Sequence, residues 1–433
     1  MLSAAALRAT YRAGEVRPSA VVADALGRAR AGDPKVFTEL LDEPAIEAAR
    51  ESDERWAAGE PRSGLDGVPV AVKDLLHVAG TVPTLGSRVH PEQVSDHDAE
   101  VVRRLRAAGA IILGRTWTHE HAWGITGQHP DLGGPANPHH PDRVTGGSSA
   151  GSAAAVASGV VALAIGTDTA GSVRIPAAWC GVLGWKPTHG WSSVAGVFEL
   201  ARSFDHLGVL ATTVQDLLVA HATLADEQLP VVQEPVRIGS ALGSTPVADA
   251  SLQAHLRGLH ERLELPEVVL PDPDRARLVQ ATLQPIEALH VHRDLHGWWP
   301  RERHRFGRNV AERLEMAEAT TPAQVAEAEE GRRLLAPDLD AALAGHDLVL
   351  APTTGCGPSL LADPDQAPPP VGGPLRDAVL GHSSLQTLFG LPALSMPVGT
   401  VDGLPVGVQV FGRRGSDALV LAAAVSLLPL LGA

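Results

Sequence analysis

Cysteine is nearly absent: Cys180 and Cys356 are the only two in 433 residues. Two cysteines make no disulfide framework, and their wide separation lacks the spacing of a zinc site. Aromatic residues are scarce at 3%, with a single tyrosine. Long apolar runs are missing as well; the apolar stretch 160–165 is far too short to span a bilayer. The opening Met1-Leu-Ser-Ala-Ala-Ala-Leu-Arg8 has neither the charged start nor the apolar centre of a secretory signal. These absences predict a cytoplasmic protein with no membrane partner. Basic residues are outnumbered, 35 against 50 acidic, for a formal net charge of −15. Such a field repels a polyanion, so no nucleic-acid partner is expected.

What the chain does have is length and apolar content: 433 residues, 44% hydrophobic, enough for a large core. Apolar residues recur at helical spacing over 3–13, 18–31, 44–58 and 97–109, with Pro18 placed in a first helical turn. Short apolar runs at 68–72, 110–113, 160–165, 236–238, 268–270, 348–350, 393–398 and 406–411 have strand length. Their alternation with helical segments predicts an α/β fold, a mixed and mostly parallel central sheet with helices on both faces. Segment 273–345 reads as nearly continuous helix broken at Pro300 and at Thr320-Thr321-Pro322, and 353–375 reads as a proline-rich loop. One domain over 1–433 is expected, with 273–345 as a variable helical cover.

The informative region begins at Gly146-Gly-Ser-Ser-Ala-Gly-Ser152 and continues through an alanine-rich helix. A glycine-serine turn opening a helix offers backbone amides to an anion, yet the following Lys-Ser/Thr of a P-loop is missing. Gly147-Ser148-Ser149-Ala150-Gly151 also matches the G-x-S-x-G elbow of α/β-hydrolases. That elbow needs a buried strand running into it, and Asn137-Pro-His-His-Pro-Asp-Arg-Val-Thr145 cannot be one. A different serine is better placed. The run 160–165 reads as a buried strand, Gly166-Thr-Asp-Thr-Ala-Gly-Ser172 as a tight loop, and Arg174-Ile-Pro176 as a helix start. A serine in such a turn has upstream amides available to stabilise an oxyanion, but its hydroxyl still needs a base.

Taken whole, the stretch 146–190 resembles the amidase signature family of Ser–cis-Ser–Lys hydrolases. The resemblance rests on Gly-Gly-Ser-Ser-x-Gly-Ser-Ala-Ala-Ala-Val-Ala, Gly-Thr-Asp-Thr-x-Gly-Ser-Val-Arg-Ile-Pro-Ala-Ala and Cys180-Gly-Val-Leu-Gly-Trp-Lys186-Pro-Thr. It continues in Gly67-Val-Pro-Val-Ala-Val-Lys73-Asp, in 116–124, in Ser203-Phe-Asp205-His-Leu-Gly208 and in Gly390-Leu-Pro-Ala-Leu-Ser-Met-Pro-Val-Gly399. Only 225–345 carries chiefly no family motif. The resemblance implies Ser172 as nucleophile, Ser148 beyond a cis peptide as bridge, and Lys73 as base. It implies an oxyanion hole from the amides of Thr169, Ala170, Gly171 and Ser172, with Ser149, Asp168 and Arg174 in support. A lysine ending an apolar strand is desolvated, which lowers its pKa and lets the amine accept a proton.

The activity so implied is hydrolysis of a carboxylic amide to acid plus ammonia or amine, without metal or organic cofactor. The expected partner is a small-molecule amide, and a homodimer is compatible with it. Two departures stand out. Ala170 replaces the family's usual glycine and is strained if a positive φ is required there. Thr-Asp-Thr-Ala-Gly-Ser is similar to allophanate-hydrolase-like members and hints at urea-like substrates, but Val173 follows the serine where those have glycine. A glutaminase or amidotransferase A-type subunit is the other alternative. The acidic residue such glutaminases carry before their Asn-Leu-Ala-Gly segment is missing; Leu380 stands there, ahead of Thr387-Leu-Phe-Gly390. His119-Glu120-His121 and His139-His140 lack the i, i+4 spacing of H-E-x-x-H, so no metal is expected. Asp205 is read as pinning a loop, and Trp117, Trp123, Trp179, Trp185 and Trp191 as core by default.

Overall fold

The computed structural model describes residues 3–225 and 236–432. The chain opens with helices α1 (Ala4–Arg12) and α2 (Pro18–Ala31), the latter with Pro18 in its first turn. Strand β1 (Phe37–Leu40) leads into α3 (Asp42–Ala58), and β2 (Pro69–Lys73) into α4 (Glu100–Ala107). Next come β3 (Ile111–Thr116), α5 (Ala150–Ala157), β4 (Leu163–Asp168), α6 (Arg174–Cys180), β5 (Leu183–Lys186), β6 (His206–Ala211) and α7 (Val214–Leu224). Beyond the undescribed residues follow β7 (Ile238–Ser240), α8 (Ala250–Leu263), α9 (Pro273–His290), α10 (Arg308–Ala319), α11 (Pro322–Ala342) and β8 (Leu348–Pro352). The chain closes with α12 (Leu375–Val379), α13 (Gly381–Leu388), β9 (Ala393–Val401), β10 (Leu404–Gly412) and α14 (Asp417–Leu431).

The strands form one ten-stranded mixed sheet in the order β1-β3-β2-β4-β6-β5-β9-β10-β8-β7. Strand β2 runs parallel to β3 and β4, and β7 to β8; the other pairs are antiparallel. The expectation of a mostly parallel sheet is thus corrected to a mixed one dominated by antiparallel neighbours. The reason is local. Asp402 and Gly403 both take positive φ, 51° and 78°, and turn β9 straight back into β10 as a hairpin. Strands β5 and β6, four and six residues long, were not singled out in the sequence and insert antiparallel between β4 and β9. Segment 268–270 forms no strand; its neighbour Glu267 makes an isolated bridge to Ser240.

Both faces of the sheet are buried, as a near-continuous apolar strand requires. Successive side chains point to opposite faces, so Val70 and Val72 enter one core while Ala71 enters the other. Leu163 and Ile165 divide from Ala164 in the same way. The Ala71 side is filled by α2, α3, α5 and α6, whose contributions are mostly alanine and valine. Small residues are needed there. A Cβ on Gly151 of α5 would lie 2.4 Å from both Trp117 N and Val36 O. Helix α9 runs through a π-turn at Val291–Leu295, the Trp299-Pro300 peptide is cis, and Thr321 starts α11 with a capping box to Gln324. The predicted break at Thr320-Thr321-Pro322 separates α10 from α11, whereas the preceding helix ends at His290 and its π-turn at Leu295, short of Pro300.

Candidate active site

Parallel strands β2 and β4 lie side by side, so their carboxyl ends, Lys73 and Asp168, open onto the same edge of the sheet. The start of α5 adds Ser148 and Ser149 to that edge. Lys73 is completely buried, and its Nζ donates to Ser148 Oγ at 2.7 Å and to Thr167 Oγ1 at 2.8 Å. Burial lowers its pKa from the ordinary lysine value to about 7, against the opposing pull of the Asp168 and Asp205 charges. Near neutrality the amine is therefore divided between base and ammonium.

The Gly147-Ser148 peptide is cis, the isomer the resemblance implies. Between the two adjacent serines, the contact to Lys73 belongs to Ser148. Ser149 Oγ instead donates to Thr167 O at 3.2 Å, and its amide donates to Ser172 O at 3.1 Å. Ser149 thus clamps the turn that carries Ser172. No strand runs into this serine pair, which begins α5 from a loop, so the G-x-S-x-G elbow is not formed. Ser172 itself is 4% exposed, and its Oγ has no hydrogen-bonding partner among the described residues. Contacts between the hydroxyls of such a relay tighten when substrate binds.

The loop 168–174 is folded around one carboxylate. Asp168 Oδ1 accepts from Gly171 N at 2.7 Å, and Oδ2 from Val173 N at 3.2 Å. Arg174 closes on both oxygens, Nε to Oδ2 and Nη2 to Oδ1, each at 3.0 Å. Burial pushes the Asp168 carboxyl up, and the Arg174 guanidinium more than reverses this, holding it well below the usual carboxylate range. Arg174 also donates to Gln409 Oε1 at 3.0 Å and Thr387 Oγ1 at 3.0 Å, so the pair ties the loop to β10 and α13. The Gly171 amide, expected in the oxyanion group, is engaged by Asp168. Among the described residues the amides of Thr169, Ala170 and Ser172 keep no partner and are the free donors of the loop. Ala170 is not among the residues with positive φ, so its side chain carries no strain. Gly171 takes that conformation instead, φ 111°, and a Cβ there would lie 2.6 Å from Ser383 Oγ.

Distant elements hold the same loop from outside, through Gln280 and Ser383, neither of which was singled out in the sequence. Gln280 Nε2 of α9 donates to Thr169 O at 2.7 Å, and Ser383 Oγ of α13 to Ala170 O at 2.7 Å. Thr169 Oγ1 donates to Asp205 Oδ1 at 2.6 Å, while Leu200 N and Ala201 N donate to its other oxygen, so Asp205 pins a loop as read. Burial raises the Asp205 pKa to about 6. One sequence signal went unused: the chain has three lysines, Lys35, Lys73 and Lys186, and two of them are wholly buried. A chain that spends so few lysines and buries them does so for a reason other than solubility.

The histidine groups are structural. His121 meets His292 ring nitrogen to ring nitrogen at 2.7 Å, and Glu120 accepts from Gly307 N at 2.9 Å. His139 reaches Cys180 O and His140 reaches Gly403 O. Among the described residues no group of three or more His, Cys, Asp or Glu side chains is placed to hold a metal ion. Likewise no described helix is long and apolar enough to cross a membrane. Trp117, Trp179, Trp185 and Trp191 pack in or against the core, whereas Trp123 also edges a cleft between α9 and α10.

A family model described as Amidase matches residues 20–292 and 291–421. Curated relatives include the A-type subunit of a glutamyl-tRNA(Gln) amidotransferase from Symbiobacterium thermophilum, 34% identical, with 97% of this chain and 95% of that protein covered. A protein of the same name from Thermus thermophilus is also 34% identical, over 97% of this chain and 95% of its own length. Among solved structures, a crystal structure of an amidase superposes with a TM-score of 0.89 at 32% identity, covering 99% of both chains. A protein from a vestigial complex linked to the origins of an s-triazine catabolic enzyme gives the same TM-score at 29% identity, covering 99% of this chain and 98% of that one.

Proposed function

The chain belongs to the amidase family, and from that premise we propose that it hydrolyses carboxylic amides through an acyl-enzyme on Ser172. The observation that carries this reading is the 2.7 Å contact from the buried Lys73 Nζ to Ser148 Oγ, at the edge of the sheet where the loop bearing Ser172 begins. Neutral Lys73 accepts a proton from Ser148 as Ser148 takes one from Ser172, whose Oγ bonds to the amide carbon. The amides of Thr169, Ala170 and Ser172 bind the oxyanion that forms. As it collapses, the carbon–nitrogen bond breaks and the relay returns its proton to the departing nitrogen. Water, deprotonated through the same relay, then releases the acid and frees Ser172. Ser149, Asp168 and Arg174 position the loop rather than touch the reacting atoms. The chain acts as one unit, with the 273–345 helices as a cover over the site; the Gln280 contact to Thr169 O supports that placement.

A second reading keeps this machinery and assigns it to glutamine in an amidotransferase A-type subunit. The names of the relatives favour it. Against it, position 380 is a buried leucine where such glutaminases carry an acidic residue. Ammonia release from glutamine, set beside release from simple aliphatic, aromatic and ureido amides, decides between them. The amidase reading expects turnover of simple amides by the isolated chain. Turnover of glutamine alone would replace it with the second.

A further inference from the structure

Each free amide of the 168–174 loop belongs to a trans peptide, whose carbonyl faces the opposite way. Whatever grips that carbonyl therefore sets where the amide points. Gly171 O, on the plane of the Ser172 amide, accepts from Ile175 N at 2.7 Å. Asp168 O, on the plane of the Thr169 amide, accepts from His206 Nδ1 at 3.1 Å. Both of these partners lie within the family motifs. Thr169 O, on the plane of the Ala170 amide, is gripped differently. Its donor is Gln280 Nε2 at 2.7 Å, 111 positions downstream on α9 of the helical cover.

Gln280 is 3% exposed, and its Oε1 has no hydrogen-bonding partner among the described residues. The orientation of its carboxamide is fixed by what surrounds it. Exchanging the two end atoms would set Oε1 against Thr169 O, and against Gln284 Oε1 at 3.5 Å, acceptor facing acceptor. A methionine would fill much the same volume without burying an unpaired acceptor. The carboxamide is thus kept for its donor end. Donation to a peptide carbonyl also polarises that peptide and makes its N–H a stronger donor.

Resting on the acyl-enzyme reading, we propose that Gln280 is a positioning residue of the oxyanion hole: by holding Thr169 O it aims and strengthens the Ala170 amide, so that the cover helix α9 completes the hole. The oxyanion develops only as Ser172 attacks, so the contribution belongs to kcat rather than to substrate binding.

The test uses two variants, checked for folding by circular dichroism across the pH range. Gln280→Met keeps the length of the side chain and removes the donor. With butyramide and benzamide as substrates it should lower kcat roughly ten- to a hundredfold and leave KM within about twofold. Gln280→Glu keeps the shape and makes the donor depend on pH. It should stay close to the wild type at acidic pH, where its protonated carboxyl donates to Thr169 O. It should then fall behind as pH rises and the carboxylate turns a second acceptor toward that carbonyl. A side chain that only fills space gives a ratio of variant to wild type that does not change with pH. Fluorophosphonate labelling of Ser172 reads the same hole without an amide, since the phosphoryl oxygen occupies it, and should slow in Gln280→Met. Equal kcat and equal labelling rates in the wild type and Gln280→Met, or a Gln280→Glu ratio flat with pH, overturns the proposal. Labelling of Ser172 without turnover of any amide counts against the amidase reading alone, and the two labelling rates then decide on Gln280.

Discussion

At Lys73 a single burial decides the chemistry. A lysine in water stays protonated to high pH and cannot serve as a base at neutrality, whereas this one is brought to about 7. Since the neutral amine is the active form, the rate should rise with pH through a limb near 7. Lys73→Ala should abolish that limb and lower kcat at neutral pH on the order of a hundred- to ten-thousandfold. A pH–rate profile of both proteins checks it, and a wild-type limb near 10 would contradict the desolvated base. This residue was legible in the sequence because it ends an apolar strand, Val68-Pro-Val-Ala-Val72, inside its own motif. Thr167, its second partner at 2.8 Å, was not: nothing in Gly-Thr-Asp-Thr marks which threonine faces a lysine 94 positions earlier. The same limit applies to choosing Ser148 over Ser149. Adjacent serines are equivalent in a pattern and become distinct only when the backbone aims one at Lys73 and the other at Thr167 O.

At the scale of the element, the loop between β4 and α6 is a turn built on Asp168. Its glycine has no room to change: Gly171→Ala places a Cβ against Ser383 Oγ in a conformation that L residues avoid. That variant should fold but lose activity on the order of a hundredfold, because the loop must shift and misalign its free amides. Circular dichroism and steady-state kinetics separate the two effects; unchanged kcat would show that the loop geometry is not what the chemistry uses. Helices were the most legible elements: α1 to α4 follow apolar periodicity and end near glycine, and 273–345 reads as helix broken where α10 gives way to α11. The sheet was less so. Parallel pairing was inferred from strand–helix alternation, but β5 and β6 are short runs whose partners lie across the sheet, and hydrogen-bond pairing leaves no local signature. The reverse error, 268–270, shows that apolar residues alone do not make a strand when only one of their neighbours finds a ladder partner.

Across the whole molecule, the helical cover shares the main apolar core with the sheet, through residues such as Val279, Leu289, Leu314 and Leu335, and adds a few buried polar contacts. Glu120 is the main one seen from the core: it accepts from Ser87 Oγ at 2.6 Å and from Gly307 N, at the head of α10. Burial raises its pKa, but the His129 ring nitrogen 3.6 Å away, the neighbouring His121 and the Ser87 hydroxyl more than offset that and hold it at about 2. The sign follows from that depression. The stability it contributes is present above its ordinary value near 4.5 and is lost as pH falls toward 2. Glu120→Ala should therefore speed amide hydrogen exchange across α10 while leaving β2 and β4 protected; equal exchange in both would show that the cover is not tethered there. The cover lay outside every motif because its contact to the site, through Gln280, depends on helix placement that apolar periodicity does not fix. All of these parts converge on one atom, Ser172 Oγ. Trapping with a fluorophosphonate, followed by mass spectrometry of the digested protein, tests that convergence most directly. The account predicts a single adduct on the peptide carrying Ser172, absent from Ser172→Ala and much slower to form in Lys73→Ala. An adduct on Ser149, or near-normal amide turnover by Ser172→Ala, would contradict it.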